Sequence, residues 1–253
     1  MSYTLAGDID IALLAFWAFL GFFIALVIYL QRESYREGYP LEDAVTGRYE
    51  TGLDIVPLPK KKIFRLPFDR GTVTVPNPHA REPVEIAARR MDRSPGSPYV
   101  PTGNPLVDGI GPAAYANRAD VPDIDMEGHP RIVPIGNSGM WVSPNDTDPR
   151  GLPMIGSDGV RAGTVTDLWI DKADRLIRYL AVDTGTRSVL VPMAMCVVRK
   201  AGVVTDSINA AQFAEAPVAP ADGIITFLGE ERVLGYFGGG YLYSSRARQE
   251  PLL

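Results

Sequence analysis

Cysteine and histidine are nearly missing from this chain of 253 residues: there is one cysteine, Cys196, and there are two histidines, His79 and His129. A single thiol cannot close an internal disulfide or supply a cysteine zinc site, which suits a reducing compartment. The two imidazoles stand fifty positions apart, a poor basis for a histidine-based metal centre. Basic residues are outnumbered, 25 Lys and Arg against 30 Asp and Glu for a formal charge of −5, and they are not concentrated, so nucleic acid is not an expected partner. Nucleophile and phosphate-binding motifs are missing too. Gly136–Gly139 (GNSG) and Gly156–Gly159 (GSDG) resemble turns and lack the G-x-S-x-G spacing of a nucleophile elbow. Gly238–Gly240 has neither a GK[ST] ending nor a strand–glycine–helix setting. These absences argue against an enzyme.

What is present begins with Ile11–Leu30, twenty residues without a charge or a proline. As a helix this run is ~30 Å long, the hydrocarbon thickness of a bilayer, and no face of it is polar. A secretory signal is a poor fit: the preceding residues hold Asp8 and Asp10 but no Lys or Arg, and no small-x-small cleavage site follows. The run therefore reads as a retained transmembrane helix. Arg32 and Arg36 follow it at once, with Lys60, Lys61, Lys62 and Arg65 beyond. By the positive-inside rule this places the N-terminus outside a bacterial inner membrane and the rest of the chain in the cytoplasm. Gly38 and Pro40 would stop the helix past the headgroups. Arg32 and Arg36 stand where lipid phosphates lie, and Tyr29 where an aromatic anchor would; ordinary flanking charge accounts for the arginines equally well.

From Pro40 to Pro153 the composition changes, and eighteen of the 22 prolines fall there. Proline removes backbone donors and disfavours helix and central strand, yet the stretch keeps Phe64, Phe68, Tyr99, Leu106, Ile132 and Trp141, more apolar content than a free tether holds. It reads as an extended arm with short strands such as Gly71–Val75, spread over a partner surface. Beyond it, Val160–Asp171, Leu176–Asp183, Arg187–Val191, Cys196–Arg199 and Val203–Ser207 are short β-rich runs, as in a small antiparallel barrel or sandwich. Two short helices follow, Asn209–Ala214 with Ser207 as candidate cap, and Glu231–Tyr243. Glycines in the second would allow close packing on another element. The resulting division is residues 1–10 periplasmic, 11–35 helix and membrane exit, 36–150 arm, and 151–253 β domain with its C-terminal helix.

One polar cluster offers chemistry. Asp123, Asp125, Glu127 and His129 alternate in ADVPDIDMEGH, so an extended backbone puts them on one side. Such a group would gather protons or hold a divalent ion weakly through Asp125 and His129; a solvated acidic loop has the same pattern. Asp171 and Asp174, at the turn where DLWID ends, are open to the same two readings.

Several pieces carry a resemblance: YLQRESYREGYPLED after the helix, LPKKKIFRLP, PTGNPLVDGIGPAAYANRADVPD, DPRGLP, AGTVTDLWIDKADRLIRYLAV and EERVLGYFGGGYLYS. In kind and order they resemble the H subunit of the purple-bacterial photosynthetic reaction centre, whose cytoplasmic part is a PRC-type β-barrel. The resemblance implies a non-catalytic subunit that caps the L and M subunits, shields the secondary quinone and helps conduct protons to it. It implies an intracytoplasmic photosynthetic membrane, a surrounding light-harvesting antenna, and bacteriochlorophyll, bacteriopheophytin, quinone and non-haem iron held by partner chains, with no cofactor or metal held by this one. It further implies proton uptake at Asp125, Glu127 and His129, and a relay through Asp171 and Asp174 with Arg178 as charge partner. Here glutamate stands at 127 where a relative has histidine, and aspartate at 174 where it has glutamate. Tyr29, Arg32, Arg36, Lys60 and Lys62 become candidates for the lipid interface. A membrane-tethered PRC-barrel adaptor of another assembly is the alternative.

Overall fold

The computed structural model describes residues 4–5, 9–36, 43, 46, 59–76 and 85–249. Gly38, Pro40 and His79, invoked above, lie outside the described residues. The chain divides into two units, Met1–Val84 with Asp92–Ser97, and Glu85–Met91 with Pro98–Leu253.

The first unit is built on helix α1, Ile11–Ser34. Asp10 caps it: its Oδ1 accepts from the backbone N–H of Ala12 at 2.9 Å and of Leu13 at 3.2 Å, satisfying donors that the first helical turn leaves open. No residue of α1 is buried within the chain. After it, β1 (Lys62–Arg65) and β2 (Thr72–Val75) form an antiparallel hairpin. The turn holds Phe68 and Asp69 at φ 59 and 52° and Gly71 at φ 86°.

The second unit opens with a short ladder, β3 (Ala88–Arg90) on β4 (Tyr99–Pro101). A single helical turn, α2 (Pro105–Asp108), follows with Pro at its first position and Asn104 as cap, where a missing N–H costs nothing. Then comes a seven-stranded sheet of β5 (Ile132–Pro134), β6 (Pro153–Ile155), β7 (Arg161–Asp171), β8 (Leu176–Asp183), β9 (Ser188–Pro192), β10 (Cys196–Arg199) and β11 (Gly202–Thr205). Its order is β9–β8–β7–β6–β11–β10, with β5 on the far half of β7. The pairings are antiparallel except β6 with β11, so the sheet is mixed where a purely antiparallel one was expected. Residues 179–182 of β8 and 189–192 of β9 are buried in succession rather than alternately, the mark of strands covered on both faces.

The last helix, α3 (Phe227–Tyr243), starts four residues before the expected Glu231. Thr226 caps it by accepting from Gly229 N–H at 3.0 Å. Glu230, Val233, Phe237 and Gly240 are buried at three- and four-residue spacing, one stripe along the helix. The 3₁₀ turn Ala210–Ala214 is capped by Asn209 in a capping box with Gln212, not by Ser207. Ser207 is instead buried and bonds Phe237 O.

The proline-rich segment has the expected short strands, and part of it also packs on the chain itself. Leu106, Ala113, Ile132 and Ile135 belong to the same buried cluster as the sheet and α3. Proline blocks regular structure but not burial of the side chains between prolines, so this part of the arm is held by its own chain.

Candidate functional site

The β7–β8 reversal gathers the charged groups. Asp171 closes β7, and its Oδ1 accepts from Ala173 N–H at 2.9 Å and Asp174 N–H at 3.1 Å, so the carboxylate itself makes the turn. Pairing of β5 with β7 sets Ile132 opposite Asp171, which brings the preceding Arg131 alongside. The Arg131 guanidinium lies 2.9 Å from Asp123, 3.4 Å from Asp171 and 3.7 Å from Asp174. Asp171 is only 4 % exposed. Burial opposes the Arg131 charge, but the carboxylates of Asp171, Asp123 and Asp174 outweigh it and leave its pKa raised.

Asp125 forms a second group. Ile124 bridges Pro130, so ADVPDIDMEGH folds into a tight turn and not into the extended run that would put four polar residues on one side. Asp125 Oδ1 accepts from His129 N–H at 2.7 Å and Glu127 N–H at 3.1 Å. His129 Nδ1 is 3.7 Å from Oδ1, and Lys172 Nζ is 3.4 Å from Oδ2. The His129 N–H foremost, with Lys172 helping against partial burial, holds the Asp125 carboxyl below its usual range. Glu127 is exposed and meets Asp125 through its N–H, not its carboxylate. Among the described residues no group of three or more His, Cys, Asp or Glu is placed to hold a metal ion. Lys172, next to Asp171 in the chain, joins the two groups.

Arg178, expected beside Asp171 and Asp174, lies 3.8 Å from Glu230 instead, and Arg131 fills the expected place. The register shift of β8 between Ile177 and Tyr179 accompanies this change of direction. Glu230 on α3 is buried and accepts from Tyr179 O–H at 2.8 Å. Burial pushes its carboxyl above the ordinary glutamate range, and the nearby Asp123 charge adds to that. Phe227 N–H donates to Val121 O at 3.0 Å and Pro122 bridges Thr226, which sets the Asp123 loop along the start of α3. An acid with a raised folded pKa binds more protons folded than unfolded, so its contribution to stability falls as pH rises above 4.5. Glu230→Gln keeps an acceptor for Tyr179 and removes this dependence. Its melting temperature should gain on that of the wild type as pH is raised from 4.5 to 8; a constant difference would contradict the raised pKa.

Arg131, Lys172 and Glu230 were not given a role from the sequence, whereas Asp123 was placed in the acidic run but not beside Asp171. Arg131 directly follows the acidic run, which was the available signal; Glu230 has none, since only the fold brings α3 to Tyr179.

Of the residues considered at the membrane end, Tyr29 is exposed and Arg32 half-buried. Arg36 and Lys62 both pair with Glu33, at 2.8 and 2.7 Å, and Arg36 also donates to Lys60 O at 2.6 Å.

A mixed sheet with a C-terminal helix, in a chain that also bears one apolar helix long enough to cross a bilayer, defines a class, and residues 145–212 match the PRC-barrel domain. Residues 3–137, more than half of the chain, match the family described as photosynthetic reaction centre, H-chain N-terminal region. The chain belongs to the reaction-centre H-chain family, as an H subunit of a photosynthetic reaction centre.

Proposed function

We propose that this chain caps the cytoplasmic side of the L and M subunits, keeps bulk water from the secondary quinone and passes protons toward it. In this reading the N-terminus is periplasmic, α1 spans the inner membrane, and pigments, quinone and non-haem iron are held by the partner chains. Antenna and lipid surround the complex, with Tyr29, Arg32, Arg36, Lys60 and Lys62 at the lipid interface.

The observation that carries the reading is the continuity of the charged groups. His129 and Glu127 are exposed, Asp125 binds the His129 N–H and Lys172, and Arg131 joins Asp123, Asp174 and the buried Asp171. Imidazole is the side-chain type that exchanges protons near neutrality, and His129 is exposed with its Nδ1 3.7 Å from the Asp125 carboxylate. Inward of it, carboxylates held around one guanidinium give successive acceptors whose positions are fixed by the turn and the β5–β7 pairing. A quinone reduced twice takes up two protons, and a covered pocket needs such a route.

The test is the double variant Asp125→Asn/Asp174→Asn in the assembled complex. Transfer of the second electron to the quinone, which is coupled to protonation, should slow on the order of 10²-fold, while primary charge separation is unchanged. An unaltered second-electron rate at neutral pH would remove the relay assignment.

A further inference from the structure

The β1–β2 hairpin is exposed on both faces. Cross-strand pairing sets Phe64 with Val73 on one face and Ile63 with Thr74 on the other. Ile63 is 71 % exposed, Phe64 50 %, Phe68 51 % and Val73 44 %. A two-stranded ribbon in water is marginal by itself, and one with large apolar side chains on either face needs cover on both. From Pro59 to Pro76 the sequence holds five basic residues, Lys60, Lys61, Lys62, Arg65 and Arg70, against one acid, Asp69. The hairpin is tied to the end of α1. Glu33 holds Lys62 at 2.7 Å, and Arg36 donates to Lys60 O at 2.6 Å and to Val75 O at 3.5 Å. As α1 measures ~36 Å against a hydrocarbon core of ~30 Å, its last turn lies at the headgroups.

We propose that the hairpin is a monotopic membrane element: Ile63, Phe64 and Phe68 enter the headgroup–acyl boundary, and the basic residues meet anionic lipid phosphates. A protein surface would cover one face of the ribbon, whereas lipid at the interface surrounds both. The excess of basic residues has the sign that anionic lipid attracts, and aromatic and aliphatic side chains interleaved with Lys and Arg are the composition of interfacial segments. The hairpin then fixes the depth and rotation of α1 through Glu33. The proposal rests on α1 spanning the bilayer.

The experiment places single cysteines at Ile63, Phe68 and, within α1, Phe23, in a Cys196→Ser background of the complete complex in vesicles containing phosphatidylglycerol. Each is labelled with bimane. Brominated acyl chains should quench the label at all three positions, while aqueous iodide quenches none. Lipid quenching at 23 with iodide quenching at 63 and 68 means that the hairpin lies in water, and the proposal fails while the span stands. Quenching by neither agent at 63 and 68 means that a partner chain covers the hairpin, which also overturns it. Loss of lipid quenching at 23 removes the span itself.

Discussion

Gly239→Val should destabilise the chain by roughly 3 kcal/mol, at the upper end of what overpacking a dense core costs, lowering the melting temperature by about 10 °C. A Cβ at Gly239 would stand 2.5 Å from Ala113 Cβ, 2.9 Å from its Cα and 3.0 Å from its N. The obstacle is backbone, fixed by the 3₁₀ turn Gly111–Ala113, and cannot swing aside as a long side chain would. One residue earlier the same helix behaves differently: a Cβ at Gly238 meets only Pro112 O, at an ordinary 3.7 Å. Gly238→Ala should therefore stabilise the helix by up to about 1 kcal/mol, the propensity difference between the two residues. Thermal unfolding of the two purified full-length variants, followed by circular dichroism, checks both. Equal effects would mean that α3 does not seat against Ala113 as described.

Arg131→Ala should cost roughly 2–4 kcal/mol. Breaking a buried pair from one side leaves the other charge without compensation, and Asp171, 4 % exposed, is the group left behind. The partial exposure of Arg131 itself, 28 % of its side chain, keeps the figure below the largest values. If the loss comes from stranded charge and not from lost packing, Arg131→Ala/Asp171→Asn should be more stable than Arg131→Ala alone. A double-mutant cycle by denaturant unfolding reads the coupling. Additive losses would mean that the guanidinium and the carboxylate do not interact.

Much of the architecture was legible in local pattern. Ile11–Leu30 has the length and uniform apolarity of a helix able to cross a bilayer. The strands at 161–171 and 176–183 came within a residue of their bounds because alternating or continuous β-branched runs end at clear turn residues. The start of α3 was placed late because Thr-Phe-Leu-Gly carries a glycine in the first turn, and the capping role of Thr226 depends on that glycine's N–H. The proline-rich segment was legible only in part. Composition reports which backbone bonds cannot form, but the docking of Leu106 and Ala113 against α3 is tertiary. The charged site was half visible. Asp125, His129, Asp171 and Asp174 stood out by spacing and by resemblance, whereas Arg131 is central only because β5 pairs with β7, and Glu230 only because α3 lies against Tyr179.

The most direct measurement for the whole account is proton uptake after the second flash, followed with a pH-indicator dye in complexes carrying Asp125→Asn/Asp174→Asn. Uptake should lag behind that of the wild type by the same factor that slows the second electron, with the subunit still bound and primary charge separation intact. Uptake at the wild-type rate in such complexes would show that protons reach the quinone by another route, and the charged network of this chain would be structural alone.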